Sequence, residues 1–136
     1  MSPLATLLER TGRSAAAQQI VDDAVRKMPE KAGPHLAAAT LAWVHRDQTA
    51  TSTEALNAIR YNERSVPAML LMAKVFHAQG RLDTARFALE NALQVEPGNA
   101  LLHLELGQVQ LEQNDDKAAL VSFEKAARLR PTLVEA

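Results

Sequence analysis

The chain has 136 residues, enough for one domain or a short run of repeats, and no cysteine, which excludes disulfide frameworks, thiolate metal sites and cysteine nucleophiles. Fifteen basic residues stand against sixteen acidic ones, so the net charge of −1 lacks the basic excess with which a nucleic-acid binder matches phosphates. Alanine (25) and leucine (19) far outnumber valine, isoleucine and threonine together (19), a balance that favours helix over sheet. No apolar run approaches the roughly 20 residues of a membrane span. The opening MSPLATLLERTGR has neither the basic n-region nor the long apolar h-region of a signal peptide. These features predict a soluble, all-helical protein.

The sequence is periodic. Pro29, Pro97 and Pro131 lie 68 and 34 residues apart, and steps of 34 link Ala24, Ala58, Ala92 and Ala126. A second column reads Ala17, Thr51, Ala85, Ala119, and a third Ala5, Ala39, Ala73, Gly107. Gly12, Arg46, Gly80 and Asn114 form a fourth, placed where the chain must turn. Small residues in matched columns let paired helix axes approach closely.

In chain order, the first unit, 1–31, is truncated: Met1 aligns with His35, Met69 and His103, so the unit opens partway through a first helix and turns at Gly12. Unit 32–65 departs most from the period, with Arg46 in the turn column, Thr51 among the small residues and Glu63 in place of the closing proline. Its polar run Arg46–Thr53 predicts a second helix that starts late near Thr53-Glu54, frays, and makes the weakest linkage. Unit 66–99 is the best formed. Pro67 suits the first turn of a helix through MLLMAKVFHAQ, and Gly80-Arg81 ends it because glycine readily takes a positive φ. Asp83 or Thr84 is placed to cap the next helix, TARFALENALQV, with Ala85, Ala88, Leu89 and Ala92 on one face. Glu96-Pro97-Gly98-Asn99 closes the unit. Unit 100–133 repeats the scheme through ALLHLELGQVQLEQ, a turn at Asn114-Asp115 and DKAALVSFEKAARL, and 134–136 form a tail.

The 34-residue helix–turn–helix with these columns resembles the tetratricopeptide repeat. Gly107, Ala119, Phe123, Ala126 and Pro131 carry the likeness in one unit, and Ala73, Gly80, Ala85, Ala92 and Pro97 in the unit before. The resemblance covers essentially the whole chain and implies a single domain, 1–136: a right-handed α-solenoid of antiparallel helix pairs. It further implies a concave groove lined by the first helices, with Leu36, Leu70 and Leu104 in one column, Thr40, Lys74 and Gln108 in the next, and Trp43, His77 and Leu111 in a third. Such a groove would take a protein or peptide segment with apolar anchors. Lys74, Gln108 and His77 would serve its polar groups, and Trp43, the one tryptophan, is of the type found at binding hot spots. Family members that clamp the C-terminal carboxylate of heat-shock chaperones use Lys and Asn at inner positions. Here Leu36 with Thr40 and Leu70 with Lys74 offer too few converging donors. The Ala-, Leu- and Arg-rich style points to a bacterial source, where the family commonly serves envelope assembly, export or secretion; that setting is an analogy from fold.

Nothing in the chain marks an enzyme. HExxH, GxSxG and phosphate-cradling glycine loops are absent. His35, His45, His77 and His103 are scattered and read as partly exposed helix histidines, so neither a metal nor a cofactor is expected. Asp22-Asp23 and Asp115-Asp116 read as capping or solvated acids, and Arg60, Arg64, Arg128 and Arg130 as complements to helix C-termini. The helix 116–129 carries Leu120, Val121, Phe123 and Leu129, more apolar surface than one neighbour covers. Leu120, Phe123 and Leu129 therefore predict an end face that either continues into a longer repeat array or packs on a second copy of the chain. A third expectation is a recruiting domain of a larger enzyme. The sequence marks neither cytoplasm nor periplasm.

Overall fold

A computed structural model describes the backbone of residues 3–130 and the side chains of 15–130. Pro131 and the tail 134–136 lie outside the described residues. Seven helices follow in order: α1 (Pro3–Lys27), α2 (Ala32–Val44), α3 (Gln48–Tyr61), α4 (Val66–Ala78), α5 (Leu82–Val95), α6 (Ala100–Glu112) and α7 (Asp116–Leu129), with no strand among the described residues. Each packs on its chain neighbours, α2 also on α4, and the pairs α2–α3, α4–α5 and α6–α7 stack into a right-handed α-solenoid.

The turns within the pairs share one geometry. Arg46, Gly80 and Asn114, one period apart, all take a positive φ, at 60°, 76° and 64°. The next amide reaches five residues back, from Asp47 to the Ala42 carbonyl, Arg81 to Phe76 and Asp115 to Gln110, each at 2.9 Å. Left-handed backbone satisfies these otherwise orphaned carbonyls, and glycine adopts it without a Cβ penalty. Arg46 bears that penalty, so Arg46→Gly is expected to raise stability by about 1 kcal/mol, seen as a higher urea midpoint at unchanged slope.

Local signals fix most of the helix starts. Asp47, Ser65, Asn99 and Asp115 cap α3, α4, α6 and α7, each side chain accepting an amide from the first turn. Two expectations are corrected here. α3 begins at Gln48 rather than near Thr53. Asp47 caps that start, accepting from the Ala50 amide at 3.0 Å, and the hydroxyls bond back within the segment, Thr51 Oγ1 to the Asp47 carbonyl at 2.7 Å and Thr53 Oγ1 to Thr49 at 3.0 Å. Neither Asp83 nor Thr84 caps α5. Both lie inside it, and Asp83 instead accepts from Gln113 Nε2 at 2.6 Å. A third difference is Gly12, where no turn forms; α1 runs straight through it. One interior glycine costs a helix only about 1 kcal/mol relative to alanine.

The small-residue columns lie at the helix crossings. Ala39 and Ala73, Ala58, Ala92 and Ala126, and Thr51, Ala85 and Ala119 are all buried. Around them, Leu89, Leu102, Leu106 and Val109 join α4, α5 and α6 in one core. Ala39, Ala55, Leu71 and Met72 form a second, with Leu36, Trp43 and Ile59 against it, and Phe76 touches both. In the last pair Gly107 makes room for an aromatic ring. A Cβ there would meet Phe123 Cε1 at 2.8 Å, so the Phe123 ring lies directly on the α6 backbone. A polar tie links the second and third pairs: Arg86 donates to Gln113 at 3.0 Å and to Asp115 at 3.1 Å, besides its bond to Glu90 within α5.

Candidate functional site

α2, α4 and α6 each contribute three residues at i, i+4 and i+7, the spacing that puts side chains on one face of a helix. Leu36, Leu70 and Leu104 are half-buried, and Leu36 and Leu70 also brace the core. In the next column Thr40 and Gln108 are exposed and Lys74 is half-buried. In the third, Trp43 and His77 are half-buried, while Leu111 leaves 52% of its surface to solvent. The first column is thus half-buried throughout, and the exposed groups lie in the other two.

Two contributors escaped the sequence columns. Ala17 and Val21 of α1 join Gly33, Leu36, Ala37, Thr40, Leu41 and Val44 in an apolar cleft of about 430 Å³, which extends the face by one helix. His77 Nε2 meets Glu112 Oε2 at 2.6 Å, closing a bond from α4 to α6 between neighbouring pairs. Glu112 stands one residue past the third column, so it falls out of a strict 34-residue register.

The predicted end face divides. Leu120 and Leu129 are exposed by 59% and 45%, and Val121 is exposed beside them. Phe123 differs: it is half-buried and fills the α6–α7 crossing over Gly107. Its ring therefore serves this chain's own packing.

Two of the histidines also differ from expectation. His35 and His103 are buried, with 5% and 8% of their surface exposed. Each donates from Nε2 to the proline carbonyl that closes the preceding unit, His35 to Pro29 at 2.7 Å and His103 to Pro97 at 2.9 Å. His35 in addition stacks on Tyr61 and directs Nδ1 at Glu54 Oε2, 2.7 Å away. Burial opposes the imidazolium, but the Glu54 carboxylate and the Pro29 carbonyl outweigh it and raise the His35 pKa. Both ring nitrogens thus face acceptors, an arrangement that favours the protonated ring.

The acidic pairs are engaged structurally. Asp22 accepts from Gln18, Asp23 pairs with Arg26, and Asp115 caps α7 while holding Arg86. Arg60 and Arg128 lie in the last turns of α3 and α7. Among the described residues no group of three or more His, Asp or Glu side chains is placed to hold a metal ion, and no helix is long and apolar enough to cross a membrane.

Residues 76–132 match the tetratricopeptide repeat family. No curated protein matches the chain in sequence. Solved structures similar in fold include MamA, 17% identical with a TM-score of 0.79 over 94% of this chain and 75% of that one. Pseudomonas aeruginosa PilF is 22% identical with a TM-score of 0.80, over 94% and 59%. A chain of the APC/C hetero-tetramer Cut9–Hcn1 is 22% identical with a TM-score of 0.81, over 88% and 23%. The repeat is generally an interaction module rather than an enzyme. Residues 76–132 belong to the tetratricopeptide repeat family, and α2 and α3 before them continue the same solenoid.

Proposed function

We propose that this chain is a non-enzymatic scaffold that docks a partner protein segment in the groove lined by α2, α4 and α6. We divide its single domain into units 1–31, 32–65, 66–99 and 100–133. The observation that carries the proposal is the alignment of Leu36, Leu70 and Leu104 beside Trp43 and Leu111 on one face, with Leu111 half in solvent. An apolar strip of this kind supplies anchor sites for a segment whose own backbone is satisfied by flanking polar groups. A bacterial envelope-assembly or secretion setting is the pathway we favour, by analogy of fold alone.

The test is affinity capture with the wild-type domain beside Leu70→Glu/Leu104→Glu, both verified as folded by circular dichroism. The expected result is a partner retained by the wild type and lost by the variant. Partners held equally by both would move recognition to the convex face or to α7.

A second reading is self-association through α7, supported by exposed Leu120, Val121 and Leu129. Leu120→Glu/Leu129→Glu is expected to abolish any oligomer seen by sedimentation velocity, and an oligomer that persists would count against it. Phe123 is unsuitable for this test because its ring packs inside the α6–α7 pair.

A further inference from the structure

The polar tie between the second and third pairs has a counterpart two periods earlier. Arg86 lies between two carboxylates, Glu90 one turn on in α5 and Asp115 in the turn of the next pair, bonding each at 3.1 Å and Gln113 at 3.0 Å. The same columns of the earlier pair hold Gln18, Asp22, His45 and Asp47, and all four line one cleft of about 470 Å³ between α1, α2 and α3. Both carboxylates recur there, but the cation does not. Gln18 stands in its column and bonds Asp22 at 2.7 Å. Asp47 accepts the Ala50 amide, and Glu54, a third acid on the cleft, is held by His35. Arg26 also lines the cleft, yet it is bonded to Asp23, and among the described residues no cation bonds Asp22 or Asp47. Ala38 and Ala42 line the cleft in the columns that Leu106 and Gln110 occupy two periods on, which leaves more room. At about 3.6 residues per turn, Ala38, Ala42 and His45 lie roughly opposite Leu36, Thr40 and Trp43 on α2, so the cleft is separate from the groove.

We infer that this cleft receives an arginine side chain of a partner protein, its guanidinium lying between Asp22 and Asp47 as that of Arg86 lies between Glu90 and Asp115. Acids alone would accept any cation. The internal precedent selects arginine, because Arg86 directs Nε to one carboxylate and Nη1 to the other, a fork that a lysine ammonium does not reproduce. Among the described residues no group is placed to hold a metal ion instead. Ala38 and Ala42 offer small apolar surface to the methylene stem.

Gln18→Arg, which supplies the missing cation from within, is the decisive variant. It is expected to raise the urea midpoint, by tying α1 to the turn between α2 and α3, and to close the cleft to a partner. A phage library of random twelve-residue peptides is panned on the wild-type domain with Gln18→Arg as counter-selection. Winning peptides are expected to carry arginine. In fluorescence anisotropy, changing that arginine to citrulline, its neutral counterpart, should weaken them about tenfold. Asp22→Asn/Asp47→Ser keeps a capping side chain for α3; it should weaken the arginine peptide by the same factor and leave the citrulline form unchanged. Leu70→Glu/Leu104→Glu should bind these peptides as the wild type does. Four results would overturn the inference: a Gln18→Arg midpoint that does not rise, winning peptides without arginine, a selection in which no peptide separates the two proteins, and peptides that depend on Leu70 and Leu104. Only the last would place the binding in the groove.

Discussion

Leu89→Ala or Leu102→Ala is expected to lower stability by about 2–5 kcal/mol, read as the shift in urea midpoint by circular dichroism. Both side chains are essentially inaccessible, and both belong to the core that joins α4, α5 and α6. The surrounding helices already meet over Ala73, Ala85 and Ala92, so their backbones have little room to close over the void. Set against a typical domain stability of about 5–15 kcal/mol, the loss takes a large share. Helix pairs in a solenoid also touch only their neighbours, so stability is close to a sum of local terms. Trp43 lies against the other core, on α2. Its fluorescence midpoint should therefore fall less than the circular dichroism midpoint, splitting a transition that coincides in the wild type. Leu111→Ala, at a half-exposed position, should stay within about 0.5 kcal/mol.

Loss of the His35 ring is expected to have the next largest effect. His35→Ala removes the stack on Tyr61 and both polar bonds, leaving Glu54 and the Pro29 carbonyl without their donor. The expected cost is about 2–3 kcal/mol. The effect depends on pH in a definite direction. Because the folded protein raises the His35 pKa, protons bind more tightly to the native state. The stabilisation is complete below the unfolded value of about 6.5 and is lost as pH rises through the higher folded value. Urea melts taken from pH 5.5 to 9 should show this decline in the wild type. Glu54→Gln, which removes the carboxylate and keeps the shape, should flatten it. An equal decline in wild type and Glu54→Gln would show that another group is responsible.

Much of this architecture was legible because each period repeats the same physical demand. Three residues in the turn column all adopt positive φ, and the alanine columns all mark close crossings, so register alone placed them. The misplaced features are those in which one local signal outweighed another or a partner remote in sequence decided the outcome. The polar run before Thr53 reads as a poor helix start, although Asp47 within it is the cap from which α3 begins. His35 reads as a surface residue until Glu54, nineteen positions away, is brought to its ring. A clue was available, since Met69 shares its column and marks that position as interior. Phe123 likewise reads as outward-facing on a terminal helix, although Gly107 one helix earlier is the gap a ring would occupy. Of the candidate site, the three columns came from the resemblance, and the structure gives the burial of each residue in them. The contribution of α1 was not foreseen, because Gly12 fits the turn column and reads as a turn, whereas α1 runs through it.

The five-residue reach across each left-handed turn has a kinetic consequence. It joins helices separated by only three residues, at 45–47, 79–81 and 113–115. Bringing the ends of so short a loop together sacrifices little chain entropy. Contacts between partners so near in sequence are the kind that allow folding in microseconds to milliseconds. A nascent chain would thus have α2 packed on α3 while α6 was still being synthesised, and its apolar faces would spend little time uncovered.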